Sequence, residues 1–173
     1  MLPLGSVWEM SYIININILE WEVFTLNFRK ATRQDIKAMM HLRKSQLVDE
    51  GLEADIDIDE ELYHFFEKQL SGGSLIQYLV EEDEEVVACG AFIIYPFPPS
   101  FTNRSGKRAY ITNMYTNKDY RGKGIATKLL KLLVEEAKEA GIKKLWLGAS
   151  EMGRPVYKKF GFIETDEYME LNI

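Results

Sequence analysis

The stretch YRGKGIATKLL, residues 120–130, says most about how this chain folds. It lies between a strand-like run at 109–116 and a long amphipathic helical pattern. A strand, a glycine-containing loop and a helix start together favour phosphate binding, because the first N–H groups of a helix have no internal partner and its dipole is positive there. Gly122 and Gly124 lack a Cβ, so a pyrophosphate can approach the main chain closely. The stretch therefore predicts a phosphate-binding loop.

Two familiar glycine loops fit this stretch poorly. A P-loop has four residues between its glycines and a Ser or Thr after its lysine, whereas Gly122 and Gly124 are separated by Lys123 alone. A dinucleotide-binding loop needs a third small residue where Thr127 stands, and it follows the first strand of its unit. Both alternatives are therefore weak, although nucleotide binding through another glycine-loop fold stays open.

A third pattern fits better. Arg121-x-x-Gly124-x-Ala126 resembles the Arg/Gln-x-x-Gly-x-Gly/Ala signature of the GCN5-related N-acetyltransferases, the GNAT family. Further along, GRPVYKKFGF at 153–162 is similar to that family's element with a tyrosine followed by Gly-Phe. The resemblance extends over 27–173, and its specific motifs lie within 110–162. Two motifs in the family's order make it a strong resemblance.

The resemblance implies acetyl-CoA as co-substrate. In the family, the strand ending at Thr116 pairs with the pantetheine arm, and a main-chain N–H near Met114 or Tyr115 polarises the thioester carbonyl. The loop holds the pyrophosphate, and Ser150 faces the cofactor unless it only caps a strand end. The implied cofactor-binding residues are Met114, Tyr115, Thr116, Arg121, Gly122, Lys123, Gly124, Ile125, Ala126, Thr127 and Ser150.

The resemblance also assigns Tyr157 as the general acid, which protonates or hydrogen-bonds to the leaving thiolate. The alternative for Tyr157 is an aromatic residue that packs a short helix on the sheet. The general base is not readable from the sequence, and Glu151 and Asp49 are weak candidates.

Composition excludes several classes of protein. A net charge of −6 argues against nucleic acid as a general partner. The single cysteine, Cys89, excludes an internal disulfide, favours a cytoplasmic protein and is expected to be a buried structural thiol. His41 and His64 lack the spacing of a zinc site, so we expect no metal.

The first 25 residues differ from the rest of the chain. No Lys or Arg occurs in 1–28, and Asn15, Asn17 and Glu20 interrupt its apolar run, which is too polar for a signal peptide or a membrane span. We expect residues 1–25 to form an extension outside the catalytic fold, either from a misplaced start or as an added edge strand. The N-acetyltransferase domain would then be 26–173.

Periodicity predicts the order β-α-α-β-β-β-α-β-α-β, a mixed α/β sheet with helices on both faces and the order of the GNAT fold. Thr32 and Asp35 indicate a helix N-terminus with a capping box. A hairpin is expected at 75–80 and 86–95. The later strands are expected at 108–116, 144–149 and 165–171, and the later helices at 124–140 and 154–160.

The acceptor is expected to be an amine of a small molecule or peptide. The family forms its acceptor site around the first two helices, and here 49–61 holds eight acidic residues and no basic ones. This segment would attract a cationic amine, or it is simply a solvated acidic loop. Phe97 and Phe101 either wall the acceptor pocket or form a dimer interface, so the chain is a monomer or a homodimer. A second function class is an inactive module that only senses acetyl-CoA.

Overall fold

The computed structural model describes residues 26–167 and 169–173. The strands are β1 Asn27–Lys30, β2 Leu75–Glu82, β3 Glu85–Pro96, β4 Lys107–Thr116 and β5 Leu145–Trp146. The α-helices are α1 Ile36–Asp49, α2 Asp59–Ser71, α3 Ile125–Glu139 and α4 Arg154–Phe160, and 3-10 turns occur at Arg33–Asp35 and Lys118–Tyr120. The prediction for residues 1–25 lies outside the described residues.

The described strands form one mixed sheet in the order β1-β2-β3-β4-β5. The first three pairings are antiparallel, and β4 pairs with β5 in parallel. The parallel pairing follows from the chain returning through α3, as a crossover connection requires. The predicted mixed α/β class with the GNAT element order is confirmed up to α4.

Each face of the sheet carries its own core. On one face α3 buries Leu129, Leu130 and Leu133, whose spacing places them on a single side of the helix. On the other face α1 and α2 bury Met39 and Phe66. The central strand β3 is buried through most of its length, because helices cover it from both sides.

The start of the first helical segment follows the predicted capping box. The Thr32 hydroxyl accepts a hydrogen bond from the backbone N–H of Gln34, and the Asp35 carboxylate accepts one from the backbone N–H of Thr32. Asp35 also forms an ion pair of 2.7 Å with Arg29 of β1. The cap therefore joins the first strand to the first helical segment.

The predicted last strand is wrong. Residues 165–167 and 169–171 form no strand, and Leu171 is 84% exposed. A strand needs a neighbour along its length, and β5 at that side of the sheet is only two residues long instead of the predicted 144–149. The alternating apolar and polar residues at 165–171 therefore have no long neighbouring strand with which to form backbone hydrogen bonds.

Candidate active site

A cavity of about 610 Å³ opens where β4 and β5 separate. The two strands pair only at Ala109 with Leu145 and at Tyr110 with Trp146. Beyond that point the segment that follows β5 is held to β4 by a side chain, because the backbone N–H of Gly148 donates to the Tyr110 hydroxyl at 3.0 Å. The β4 main chain from 111 to 116 consequently has no described strand on its β5 side. Such an edge can accept an extended ligand that carries amides.

A bulge in β4 shapes the floor of this cavity. The pairing of β3 with β4 shifts register between Cys89 and Ala91, and Asn113 takes a positive φ of 50°. Hydrogen bonds hold Asn113 in this position: its carbonyl accepts the Cys89 Sγ–H at 3.1 Å, and its side-chain amide donates to Gln77 Oε1 at 3.2 Å. The bulge bends the strand and breaks its ladder at the point where the cavity begins.

The predicted phosphate loop forms the next part of the wall. Gly122 and Gly124 have φ of 77° and 79°, values in the left-handed region that glycine adopts without strain. Gly124 is the N-cap of α3, and no side chain caps the helix there. The first N–H groups of α3 are therefore left for a ligand, and Gly124, Ile125, Ala126 and Thr127 all line the cavity.

Arg121 ties this loop to α1. Its Nε donates to the Thr116 carbonyl at 3.0 Å, and its Nη2 pairs with Asp49 at 2.5 Å. Lys118 contacts the other Asp49 oxygen at 3.0 Å. The hydrogen bond from Lys118, together with that from Arg121, lowers the pKa of Asp49. Asp49 is therefore a poor general base, because its carboxylate is already occupied by two cations.

Tyr157 of α4 is partly buried on the opposite wall. Its ring packs edge-on against Phe162 with centroids 5.8 Å apart, and a Cβ at Gly153 would come within 2.9 Å of it, so glycine is needed there. Burial, followed by the negative charge of Glu50, raises the pKa of Tyr157 to about 12. The phenol consequently keeps its proton at neutral pH and can serve as a donor.

The family follows from this arrangement and one comparison. A family model described as the acetyltransferase (GNAT) family matches residues 36–162, a range that runs from α1 through the whole cavity wall to Phe162. The chain belongs to the GNAT acetyltransferase family. The GNAT membership confirms the resemblance first drawn from the loop and the tyrosine element.

Solved and curated relatives agree with this membership. A predicted acetyltransferase with acetyl-CoA from Clostridium acetobutylicum is 49% identical, with a TM-score of 0.83 over 86% of this chain and 96% of that one. The glucosamine 6-phosphate N-acetyltransferase of Trypanosoma brucei brucei is 31% identical over 43% of this chain and 51% of that protein. A probable glucosamine 6-phosphate N-acetyltransferase 2 of Oryza sativa subsp. japonica is 30% identical over 54% and 57%. The chain spans about half the length of these curated relatives.

Most of the GNAT residues expected from the sequence meet in the one cavity. Its lining includes Met114, Tyr115, Thr116, Arg121, Gly122, Gly124, Ile125, Ala126, Thr127, Ser150 and Tyr157. The Ser150 hydroxyl also accepts the Gly153 N–H at 3.2 Å, so it caps a turn as well as facing the cavity.

Two expected residues stand apart. Lys123 does not line the cavity, and its Nζ lies 4.6 Å from the centre of the Tyr120 ring. Glu151 is exposed and is likewise absent from the cavity wall. Because Glu151 does not line the cavity, it lacks the geometric support that a general base would need.

Sequence reasoning named Asp49 and the acidic segment 49–61 on the α1 side of the cavity, but it gave no role to Arg43 or Gln46 and no individual role to Glu50. Arg43, Gln46 and Glu50 line the cavity together with Tyr110 of β4. The available signal was the spacing of Arg43, Gln46 and Glu50, which places three polar side chains on one face of a helix that otherwise packs on the sheet.

The remaining candidates lie elsewhere. Cys89 is 1% exposed, and burial raises its pKa to about 12, so the prediction of a structural thiol is confirmed. Phe97 packs near Trp146 and Phe101 is fully exposed, and neither lines the cavity.

Across 26–167 and 169–173, no three potential metal ligands cluster. No helix in these ranges has the length and hydropathy to cross a membrane.

Proposed function

We propose that this protein is an acetyl-CoA-dependent N-acetyltransferase that moves an acetyl group directly to a primary amine of a small molecule or peptide. One observation carries the proposal: the open edge of β4, the glycine loop at the start of α3 and Tyr157 all face the same cavity. These three features supply an edge for the arm, a site for the pyrophosphate and a proton donor.

The residues present fit acetyl-CoA. The uncapped start of α3 and the left-handed Gly122 and Gly124 offer backbone N–H groups to the pyrophosphate. The open β4 edge from 111 to 116 offers main-chain hydrogen bonds to the amides of the pantetheine arm. The 49% identical Clostridium acetobutylicum structure, which is described with acetyl-CoA, supports the same co-substrate.

The chemistry asks for an oxyanion donor and a proton for sulfur. A β4 main-chain N–H near Met114 or Tyr115, beside the bulge, would donate to the carbonyl oxygen as it gains charge. Tyr157 would hydrogen-bond to the departing sulfur. Because its pKa lies well above 7, the Tyr157 phenol is protonated at neutral pH and can donate a hydrogen bond.

An amine acceptor is supported by the curated relatives, which are named for glucosamine 6-phosphate. The acidic segment 49–61 gives a cationic acceptor less support than its composition suggests, because only Asp49 and Glu50 of its acidic side chains line the cavity. Asp49 is already paired with two cations. A cytoplasmic location, supported by the single buried thiol, and a monomeric or homodimeric state complete the proposal.

Two measurements on the wild-type protein test this function. Acetyl-CoA should raise the melting temperature, and free thiol should appear when primary amines are added. A rise in melting temperature without thiol release from any amine would support the acetyl-CoA sensor instead. No rise with a folded protein would contradict the assignment of the loop.

Gly124→Ala provides a variant test with a matched control. A Cβ at Gly124 meets no protein atom within 4 Å, so the methyl group would narrow only the space for a ligand. Gly141 at the other end of α3 has a similar φ of 71° and equally open surroundings. Both variants should lose about 1–2 kcal/mol of stability from the left-handed backbone. Only Gly124→Ala should weaken acetyl-CoA binding, by at least about 10-fold, and equal effects would contradict the loop's role.

A further inference from the structure

A hydrogen-bonded row along the cavity is formed by Arg43 and Gln46 of α1 and by Glu50, the residue that caps the C-terminus of this helix. Arg43 Nη1 donates to Gln46 Oε1 at 3.2 Å, and Gln46 Nε2 donates to Glu50 Oε1 at 3.0 Å. Gln46 is only 9% exposed, so its amide is held in place. Because Arg43 can only donate, it fixes the Gln46 oxygen toward itself and the amide nitrogen toward Glu50. The row therefore orients the Glu50 carboxylate.

Glu50 differs from its neighbour Asp49 in charge balance. Asp49 is neutralised by Lys118 and Arg121. Within the described part of the chain, Glu50 takes part in no ion pair, and its hydrogen bond comes from the neutral amide of Gln46. Since Glu50 is also exposed, its carboxylate presents an uncompensated negative charge that an incoming cation can reach.

Glu50 and the proposed proton donor, Tyr157, both line the cavity. The charge of Glu50 is the second cause, after burial, of the raised pKa of Tyr157. The other charged groups that line the cavity are Arg43 and Asp49 on α1, Arg121 on the phosphate loop and Lys159 on α4. Besides Tyr157, the tyrosines that line the cavity are Tyr110, Tyr115 and Tyr120. Glu50 is thus the one cavity-lining carboxylate of the described residues that lies free of a cation.

We propose that Glu50 binds the acceptor while the acceptor's amine is protonated. Glu50 then removes the proton that must leave before the amine can attack the thioester carbonyl. The inference rests on the function proposed above and deepens it, because it defines the acceptor as an amine that arrives protonated. Glu50 would replace Glu151 and Asp49 as the base.

The steps balance as follows. The ammonium passes one proton to Glu50, which releases it to water. The lone pair of the neutral amine forms the N–C bond while the carbonyl π electrons move to oxygen. When the carbonyl re-forms, the C–S bond breaks and its electron pair leaves with sulfur. The Tyr157 hydroxyl gives its proton to the sulfur and takes back the second proton from nitrogen. The products are the amide, the free thiol and one proton in solution.

Glu50→Gln tests the proposal, with Glu151→Gln as the matched control, since it removes an equal charge from an exposed site off the cavity wall. Thiol release is measured for the wild-type protein, first with glucosamine 6-phosphate and then with glucosamine, spermidine and lysine. The best acceptor is used for both variants from pH 7 to pH 10. Melting with acetyl-CoA shows whether each variant is folded and still binds the donor.

We expect Glu50→Gln to lower kcat/KM for the amine about 100-fold at pH 7, with an unchanged response to acetyl-CoA. The deficit in kcat/KM should shrink as the pH approaches the pKa of the acceptor's own amine, because the neutral amine is then already present in solution. Glu151→Gln should match the wild type. Equal activity of Glu50→Gln and wild type, or a deficit that stays constant with pH, would overturn the role of Glu50. Absence of thiol release by the wild type, for every amine, would instead overturn the proposed function itself.

Discussion

At the scale of single residues, the Tyr157 hydroxyl carries the clearest catalytic prediction. Tyr157→Phe removes the proposed donor and keeps the ring that packs on Phe162. We expect kcat to fall about 10–1000-fold with little change in acetyl-CoA affinity, as for a lost acid. Steady-state kinetics and melting with acetyl-CoA would measure both effects.

The control for this substitution is Tyr63→Phe on α2. Tyr63 is 44% exposed and does not line the cavity, so the loss of its hydroxyl should leave turnover unchanged. Turnover of Tyr157→Phe equal to that of Tyr63→Phe would remove Tyr157 from the mechanism and leave it a packing role.

Single residues also show where sequence reasoning succeeds. Gly122, Gly124 and Tyr157 were predicted as site residues because local motifs dictate their setting, and the fold brings all three to the cavity. Glu50 was predicted only as one member of the acidic segment 49–61, because nothing adjacent to it in sequence relates it to Tyr157. Their shared position on the cavity wall depends on how α1 packs against the sheet, and a single sequence does not reveal that packing.

At the scale of elements, the junction of β1 with the first helical segment predicts acid sensitivity. The hydrogen bond from Arg29 lowers the pKa of Asp35 from 3.8 to about 2. A carboxyl whose folded pKa is lowered stabilises the protein above its unfolded pKa, and that stability is lost as the pH falls from about 4 to about 2. We expect a loss of about 1–2 kcal/mol, measured by urea unfolding at pH 5 and pH 2.5.

Asp35→Asn should be less stable than the wild type at pH 5, and its stability should fall less between pH 5 and pH 2.5. Asp55→Asn, at an exposed position, should follow the wild-type curve. If the stability of Asp35→Asn fell with pH as steeply as that of the wild type, other carboxyl groups would be the cause of the acid sensitivity.

Elements also mark the limit of pattern reading. The hairpin of β2 and β3 was predicted because alternation and a turn occur in one continuous stretch. The strand expected at 165–171 has alternation as well, yet it depends on a neighbour elsewhere in the chain. Strand formation there fails because β5 is short.

At the scale of the whole molecule, we propose that residues 1–25 lie outside the catalytic fold. The match to the family model begins at residue 36, after this segment, and the first described strand begins at Asn27. Removal of 1–25 should therefore change the melting temperature by no more than a few degrees and leave the response to acetyl-CoA intact. A truncated protein that fails to fold would contradict this domain boundary. Mass spectrometry of the native protein would show whether the first residues are present.

The ion pair between Arg121 and Asp49 has a consequence for the sequence of events during turnover. A pyrophosphate in the loop would compete with Asp49 for Arg121, and Asp49 directly precedes Glu50 at the end of α1. Arrival of the donor would thus alter the segment that receives the acceptor. Two-substrate kinetics should then be ordered, with the donor bound first and the amine second.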